Sequence, residues 1–373
     1  RVVARLEGFA GSACLLALEH SSKLLATAFR SHTQLFVCGG CDGKAALSSV
    51  EAFDAATGRW RELPPMRRYH DSASMAVVGR HLYVFGGSDP HGPLSYVESL
   101  DLATGRWEVE RPLRVPRVFA AVEVWGGCIY ICGGCRSMTM ALRSVELYSP
   151  RSRHWSPLPR MHQARSNATS AAFQGHVYVC GGSDGRALQT VEALDTVKRE
   201  WRTLPSMEET RIFPGRARGD GYVYVCGGQG PDGSPLTSTE VFHIRQASWE
   251  KLPPLAAGRV GPSLSVTGPR RLIVCGGCPR TGPCVESFDP AAGAWRTLRP
   301  MLHSRKFAAS VLHAGHVYIC GGSVNGTVIS SVERLNLETG LWEEVAEMNS
   351  PRLGSVVHGS SQAALAGCAA DRQ

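Results

Sequence analysis

An all-β ring of seven similar four-stranded antiparallel units is the architecture this sequence predicts, and three observations predict it. A Gly-Gly pair recurs seven times, beginning at Gly39, Gly86, Gly133, Gly181, Gly227, Gly276 and Gly321, at spacings of 45 to 49 residues. A glutamate (Glu51, Glu98, Glu146, Glu192, Glu240, Glu286, Glu333) stands nine residues before a tryptophan (Trp60, Trp107, Trp155, Trp201, Trp249, Trp295, Trp342) in every repeat. Ten residues after each tryptophan comes a further fixed position, held by His70, Arg117, Arg165, Arg211, Arg259, Arg305 and Arg352. Such a period belongs to a stacked repeat, and short apolar runs with no helical stretch between them mean strands.

Each repeat reads as four strands in order. A first strand such as Ala73–Val78 or Ser170–Phe173 leads through a turn, for example Gln174-Gly175-His176, into a second. The second is a continuous apolar run ending at Gly-Gly, as in Leu82–Phe85, Val177–Cys180 and Val317–Cys320. Such runs suit strands covered on both faces. The third carries Val-Glu, as in Val191–Leu194, and the fourth runs from tryptophan to proline, as in Trp201–Pro205. From the second glycine to the next glutamate the gap varies between 9 and 12 residues, which marks an exposed loop. A unit this small cannot bury both faces alone, so neighbours must stack, and radial stacking of blades makes a β-propeller.

These residues resemble the kelch repeat: Gly-Gly, the later Glu and Trp, and a Met/Leu-x-x-x-Arg corner such as Met207 to Arg211. The matches cover about residues 31 to 359, with 1–30 read as a leader or the remnant of a longer chain and 360–373 as a tail. In similar domains a C-terminal strand completes the first blade. Residues 353–359 are therefore expected to join strands from residues 34–64, with Leu24–Phe29 as the competing closing strand.

Composition narrows the partners. The 373 residues carry a net charge of +8, with Lys and Arg spread along the chain and no basic arm. That argues for an acidic protein or peptide segment over nucleic acid, and no apolar run is long enough to suggest a membrane partner. Thirteen cysteines in a sizeable chain read as free buried thiols of a cytoplasmic protein. Cys38–Cys41, Cys132–Cys135 and Cys275–Cys278 form Cys-Gly-Gly-Cys runs. The slot before Gly-Gly also takes Cys180, Cys226, Cys320 and Phe85, so it reads as an apolar strand position and no metal or other cofactor is expected.

The resemblance implies a site as well. In similar adaptor propellers, corner arginines and residues just after Gly-Gly line a partner pocket. Here those are His70, Arg117, Arg165, Arg211, Arg259, Arg305 and Arg352, with Ser88, Ser183, Gln229 and Ser323 behind the glycines. The opposing reading pairs each arginine with its repeat's glutamate, because a buried carboxylate needs a partner. Tyrosine, which several adaptors place after Gly-Gly, is absent there. A non-enzymatic protein-interaction module with a basic mouth is the leading expectation. It becomes a substrate adaptor of a cullin ubiquitin ligase if BTB and BACK domains, for which these residues have no room, precede Arg1. A propeller enzyme of copper-oxidase or sugar-isomerase type and an actin-binding cytoskeletal scaffold are the alternatives. Trp125, outside the tryptophan register, is a contact candidate.

Overall fold

The computed structural model describes residues 34–137, 140–219, 221–278, 282–353 and 356–359. The leader, the tail and the competing strand Leu24–Phe29 lie outside the described residues. Among the described residues there is no helix, and seven four-stranded antiparallel sheets follow one another along the chain.

The fourth blade shows how the repeat folds. Its strands Thr169–Phe173, His176–Cys180, Val191–Asp195 and Glu200–Leu204 pair in sequence order from the channel outward. Side chains alternate across a strand. Val177 and Val179 therefore pack with Cys132 and Val145 of the third blade, while Tyr178 and Cys180 pack with Val223 and Val225 of the fifth. All four side chains of this second strand are almost fully buried, which accounts for its unbroken apolar run. Seven buried clusters result, one at each interface between neighbouring blades. Each fully buried side chain of this size contributes about 1.5–3 kcal/mol.

The ring closes as the C-terminal reading expects. Val356–Gly359 is the innermost strand of the first blade and pairs antiparallel with Gln34–Cys38, followed outward by Val50–Asp54 and Arg59–Leu63. Ahead of it, Leu353 and Cys41 exchange backbone hydrogen bonds of 2.9 Å. The variable segment after Gly-Gly is more ordered than a plain loop in three blades, where it forms a two-stranded hairpin, for example Ser323–Val324 with Thr327–Val328.

The repeat tryptophans join blades at the outside. Each indole N–H donates to a carbonyl at the end of the preceding blade's outer strand: Trp201 to Pro159 at 2.8 Å, Trp249 to Pro205 at 2.8 Å, and Trp60 to Ala346 across the closing junction at 2.6 Å. Trp125 is half-buried and packs on the cluster between the third and fourth blades.

Candidate functional site

The corner positions turn out to be clamps. Arg165 belongs by its backbone to the third blade, where its N–H donates to Leu142 and its carbonyl accepts from Gly134. Its side chain reaches the fourth blade. Nη1 donates to the carbonyls of Gly181 (2.7 Å) and Thr190 (3.0 Å), and Nη2 to Thr190 Oγ1 (3.1 Å) and Glu192 Oε1 (2.6 Å). Glu192 also accepts the N–H groups of His162 and Gln163, so the buried carboxylate is fully engaged. Arg117–Glu146, Arg211–Glu240, Arg259–Glu286, Arg305–Glu333 and Arg352–Glu51 repeat the arrangement. Arg352 thereby fastens the seventh blade to the first. At the junction of the first two blades His70 takes the role, with Nδ1 donating to the Gly86 carbonyl at 2.6 Å and Nε2 lying 3.4 Å from Glu98.

This corrects the expectation of a basic partner-binding ring. His70, Arg117, Arg165, Arg211, Arg259, Arg305 and Arg352 are 0–2% exposed. They offer no side chain to a partner, because each is enclosed between blades, and the six arginines are ion-paired to their repeat glutamates. Six of the seven first glycines are needed at the same place, where a Cβ would meet the corner carbonyl. A Cβ on Gly133, whose φ is +63°, would run into the Arg165 carbonyl oxygen. Ser88, Ser183, Gln229 and Ser323 are half-buried and bridge by paired backbone hydrogen bonds to the residue after each corner, Asp71, Ser166, Ile212 and Lys306. None of the four lines the cavity at the mouth.

The cavity itself is built one residue further on. Ser72, Phe119, Asn167, Phe213 and Phe307, each two residues after a corner, have φ between 52° and 55°, and Gly261 has 61°. Left-handed backbone is rare for a bulky residue. The turns are tied to one another around the mouth: Phe119 N–H donates to Ser72, Asn167 to Phe119, Gly261 to Phe213 and Phe307 to Gly261, at 2.9–3.1 Å. Between Asn167 and Phe213 this girdle is broken, and Arg216 bridges the gap by donating Nη1 to the Asn167 carbonyl at 3.1 Å. Phe213 and Phe307 meet edge to face at 5.5 Å and are 41% and 40% exposed. Together these residues line a cavity of about 390 Å³ at the mouth of the channel. Sequence reasoning missed it, although phenylalanine two residues after Arg117, Arg211 and Arg305 was there to be read.

The cysteines divide. Burial pushes the thiols of Cys38, Cys132, Cys180, Cys275 and Cys320 up to about 12 and that of Cys226 to about 11. Cys278 and Cys284 are joined in a disulfide, which corrects the expectation of free thiols for that pair. Among the described residues no group of three or more His, Cys, Asp or Glu is placed to hold a metal ion, and no helix is long and apolar enough to cross a membrane.

Residues 26–220, more than half of the chain, match the family model of the KLHDC2/KLHL20/DRC7 Kelch-repeats domain, and residues 217–256 and 304–349 match the Kelch motif. The chain belongs to the kelch-repeat family. A stretch of 80 residues is 30% identical to human Kelch-like protein 4, covering 21% of this chain and 11% of that protein. Another of 103 residues is 37% identical to the F-box/kelch-repeat protein At2g29600 of Arabidopsis thaliana, covering 27% of this chain and 24% of that one. The kelch chain thus spans a small part of these relatives. Among solved structures, that of YjhT superposes with a TM-score of 0.59 at 15% identity, over 76% of this chain and 99% of the other, a likeness of fold.

Proposed function

We propose that this kelch propeller is a protein-interaction module without catalytic activity of its own, and that it holds a segment of a partner protein at the channel mouth. The observation that carries the reading is the set of three phenylalanines, Phe119, Phe213 and Phe307, held in left-handed backbone at a concave mouth. Backbone strain of this kind clusters at binding sites, and partly exposed aromatic side chains are the groups that anchor interfaces. Ser88, Ser183, Gln229 and Ser323 form the surrounding rim.

The test is affinity capture with the triple variant Phe119→Asn/Phe213→Asn/Phe307→Asn. Asparagine tolerates this backbone and already stands in the register as Asn167. Partners recovered by the wild type are expected to be lost; an unchanged partner set refutes the mouth as the binding site.

The narrower form, service as a substrate adaptor of a cullin ubiquitin ligase, needs a ligase-binding segment outside the described ring. Its test is co-precipitation of a cullin with the full-length protein. A cytoplasmic setting goes with nine free cysteines among the described residues against one disulfide.

A further inference from the structure

The cavity at the mouth has an uneven chemistry that the partner reading does not by itself explain. Among the described residues its lining contains no aspartate or glutamate, and Arg216 is the one titratable residue there. Two of its serines are already engaged with the wall, Ser74 Oγ donating to Ala120 and Ser263 Oγ to Ala308, both at 2.8 Å. Arg216 and Arg218 lie on the same innermost strand, Gly215–Gly219, yet their circumstances differ. Arg218 is paired with the buried Glu123, which also accepts from Ser170 at 2.9 Å. Arg216 has only carbonyl acceptors for Nη1, Asn167 and Ala168 at 3.1 and 2.7 Å, and no carboxylate in ion-pairing range among the described residues.

A cation facing a cavity without a counter-charge is a standing site for an anion. A guanidinium is suited to a carboxylate, since its remaining N–H groups form a planar fork. The neighbouring wall is apolar. In the register between Phe213 and Phe307 stands Gly261, where a Cβ would meet the Phe307 ring at 2.5 Å, so its missing side chain is what lets the two rings touch. The result is an aromatic shelf beside one arginine, in a volume at the low end of ligand pockets (about 300–1,000 Å³).

We propose that this cavity takes a carboxylate carried next to an apolar group, presented by the partner as an acidic residue adjoining an aromatic one. Arg216 holds the carboxylate, and the Phe213–Phe307 pair holds the ring. The inference rests on the partner reading above but names its own residues: the anion is recognised by Arg216 inside the channel mouth and not by the enclosed corner arginines.

The test titrates the full chain, by calorimetry and ligand-observed NMR, with the blocked dipeptides acetyl-Glu-Phe-amide, acetyl-Gln-Phe-amide and acetyl-Glu-Ala-amide, and with 3-phenylpropionate. The Glu-Phe probe is expected to bind at least tenfold tighter than either other dipeptide. Arg216→Gln should abolish the preference for Glu over Gln, and Arg216→Lys, which keeps the charge, should retain part of it. Phe213→Asn/Phe307→Asn should abolish the preference for Phe over Ala and leave the preference for Glu intact. Equal binding of the Glu and Gln probes by wild type, or their discrimination surviving in Arg216→Gln, overturns the proposal. So does 3-phenylpropionate binding tenfold tighter than the Glu-Phe probe, which assigns the site to a free small acid. If the probes fail to discriminate while partner capture still depends on the phenylalanines, this inference falls and the interaction-module reading stands.

Discussion

The junction between the first and second blades is built differently from the other six, and the difference yields a measurable coupling. Six clamps combine a corner arginine with a small residue two positions before the glutamate: Ser49, Ser144, Thr190, Ser238, Cys284 and Ser331. The seventh combines His70 with Tyr96, whose rings lie 6.4 Å apart. The shorter corner side chain and the larger neighbour compensate in volume. His70→Arg alone should therefore overpack the buried corner, at a cost of about 1–3 kcal/mol. Tyr96→Ser alone removes packing without supplying a donor for the new hydroxyl, at a cost of about 1–2 kcal/mol.

The double variant His70→Arg/Tyr96→Ser restores the common clamp. It adds hydrogen bonds from a charged donor, to the carbonyl of the residue at position 96 and to its hydroxyl, each worth about 1.5–3 kcal/mol. The expected coupling is about 2–4 kcal/mol in favour of the double. With an unfolding entropy of about 2 cal/mol/K per residue, a ring of this size shifts its melting temperature by about 1.5 °C per kcal/mol. Differential scanning calorimetry should show each single variant melting about 2–4 °C low and the double returning to within about 1 °C of wild type, or above it. Additive shifts, to within about 0.5 kcal/mol, would refute the account of the junction.

Three further outcomes follow from the same framework. Arg165→Ala strands the buried Glu192 without its cation, which costs about 3–5 kcal/mol. It should melt about 5–7 °C low in the same calorimeter, with Arg165→Met/Glu192→Gln recovering most of the loss. Removing residues 354–373 strips the innermost strand from Gln34–Cys38 and leaves an unpaired edge in the channel. This variant should lose the single cooperative transition and elute as aggregate in size-exclusion chromatography; a monomer with an unchanged melt would contradict strand closure. Iodoacetamide at pH 8 with peptide mass mapping should modify half-exposed Cys41 in the native protein, because thiols raised to about 11–12 stay protonated and enclosed. Cys38, Cys132, Cys180, Cys226, Cys275 and Cys320 should react only in denaturant; labelling of these before Cys41 would count against the blade packing.

Much of the fold was legible because a propeller repeats its constraints. The buried second strand, the loop after Gly-Gly and closure by the C-terminal strand each follow from positions that recur in register. The corner residues were harder. Arginine exposed on a rim and arginine enclosed against a glutamate look alike in sequence, and only the match of seven glutamates to six arginines and one histidine pointed to pairing. The His70–Tyr96 exchange was invisible because its partners are 26 positions apart and meet only when the second blade forms. Arg216 and Arg218 escaped for another reason: they lie on an innermost strand, Gly215–Gly219, whose composition contradicts the apolar pattern of its counterparts.

The separation of clamp from mouth shows how one scaffold leaves its mouth residues free to vary. The clamps use side chains, so the corner and glutamate positions are nearly invariant across the seven repeats. Two residues later the turns are fastened by backbone hydrogen bonds, which leave the side chain free: serine, phenylalanine, asparagine and glycine all occur there at the same φ. Glycine and asparagine meet that backbone at least cost, so phenylalanine at three of the positions adds strain of about 1–3 kcal/mol each. Burial does not repay it in full, since the rings of Phe213 and Phe307 remain about two-fifths exposed. Aromatic groups held in strained backbone and left partly uncovered gain by being covered, and under the partner binding proposed above that coverage is what offsets the strain.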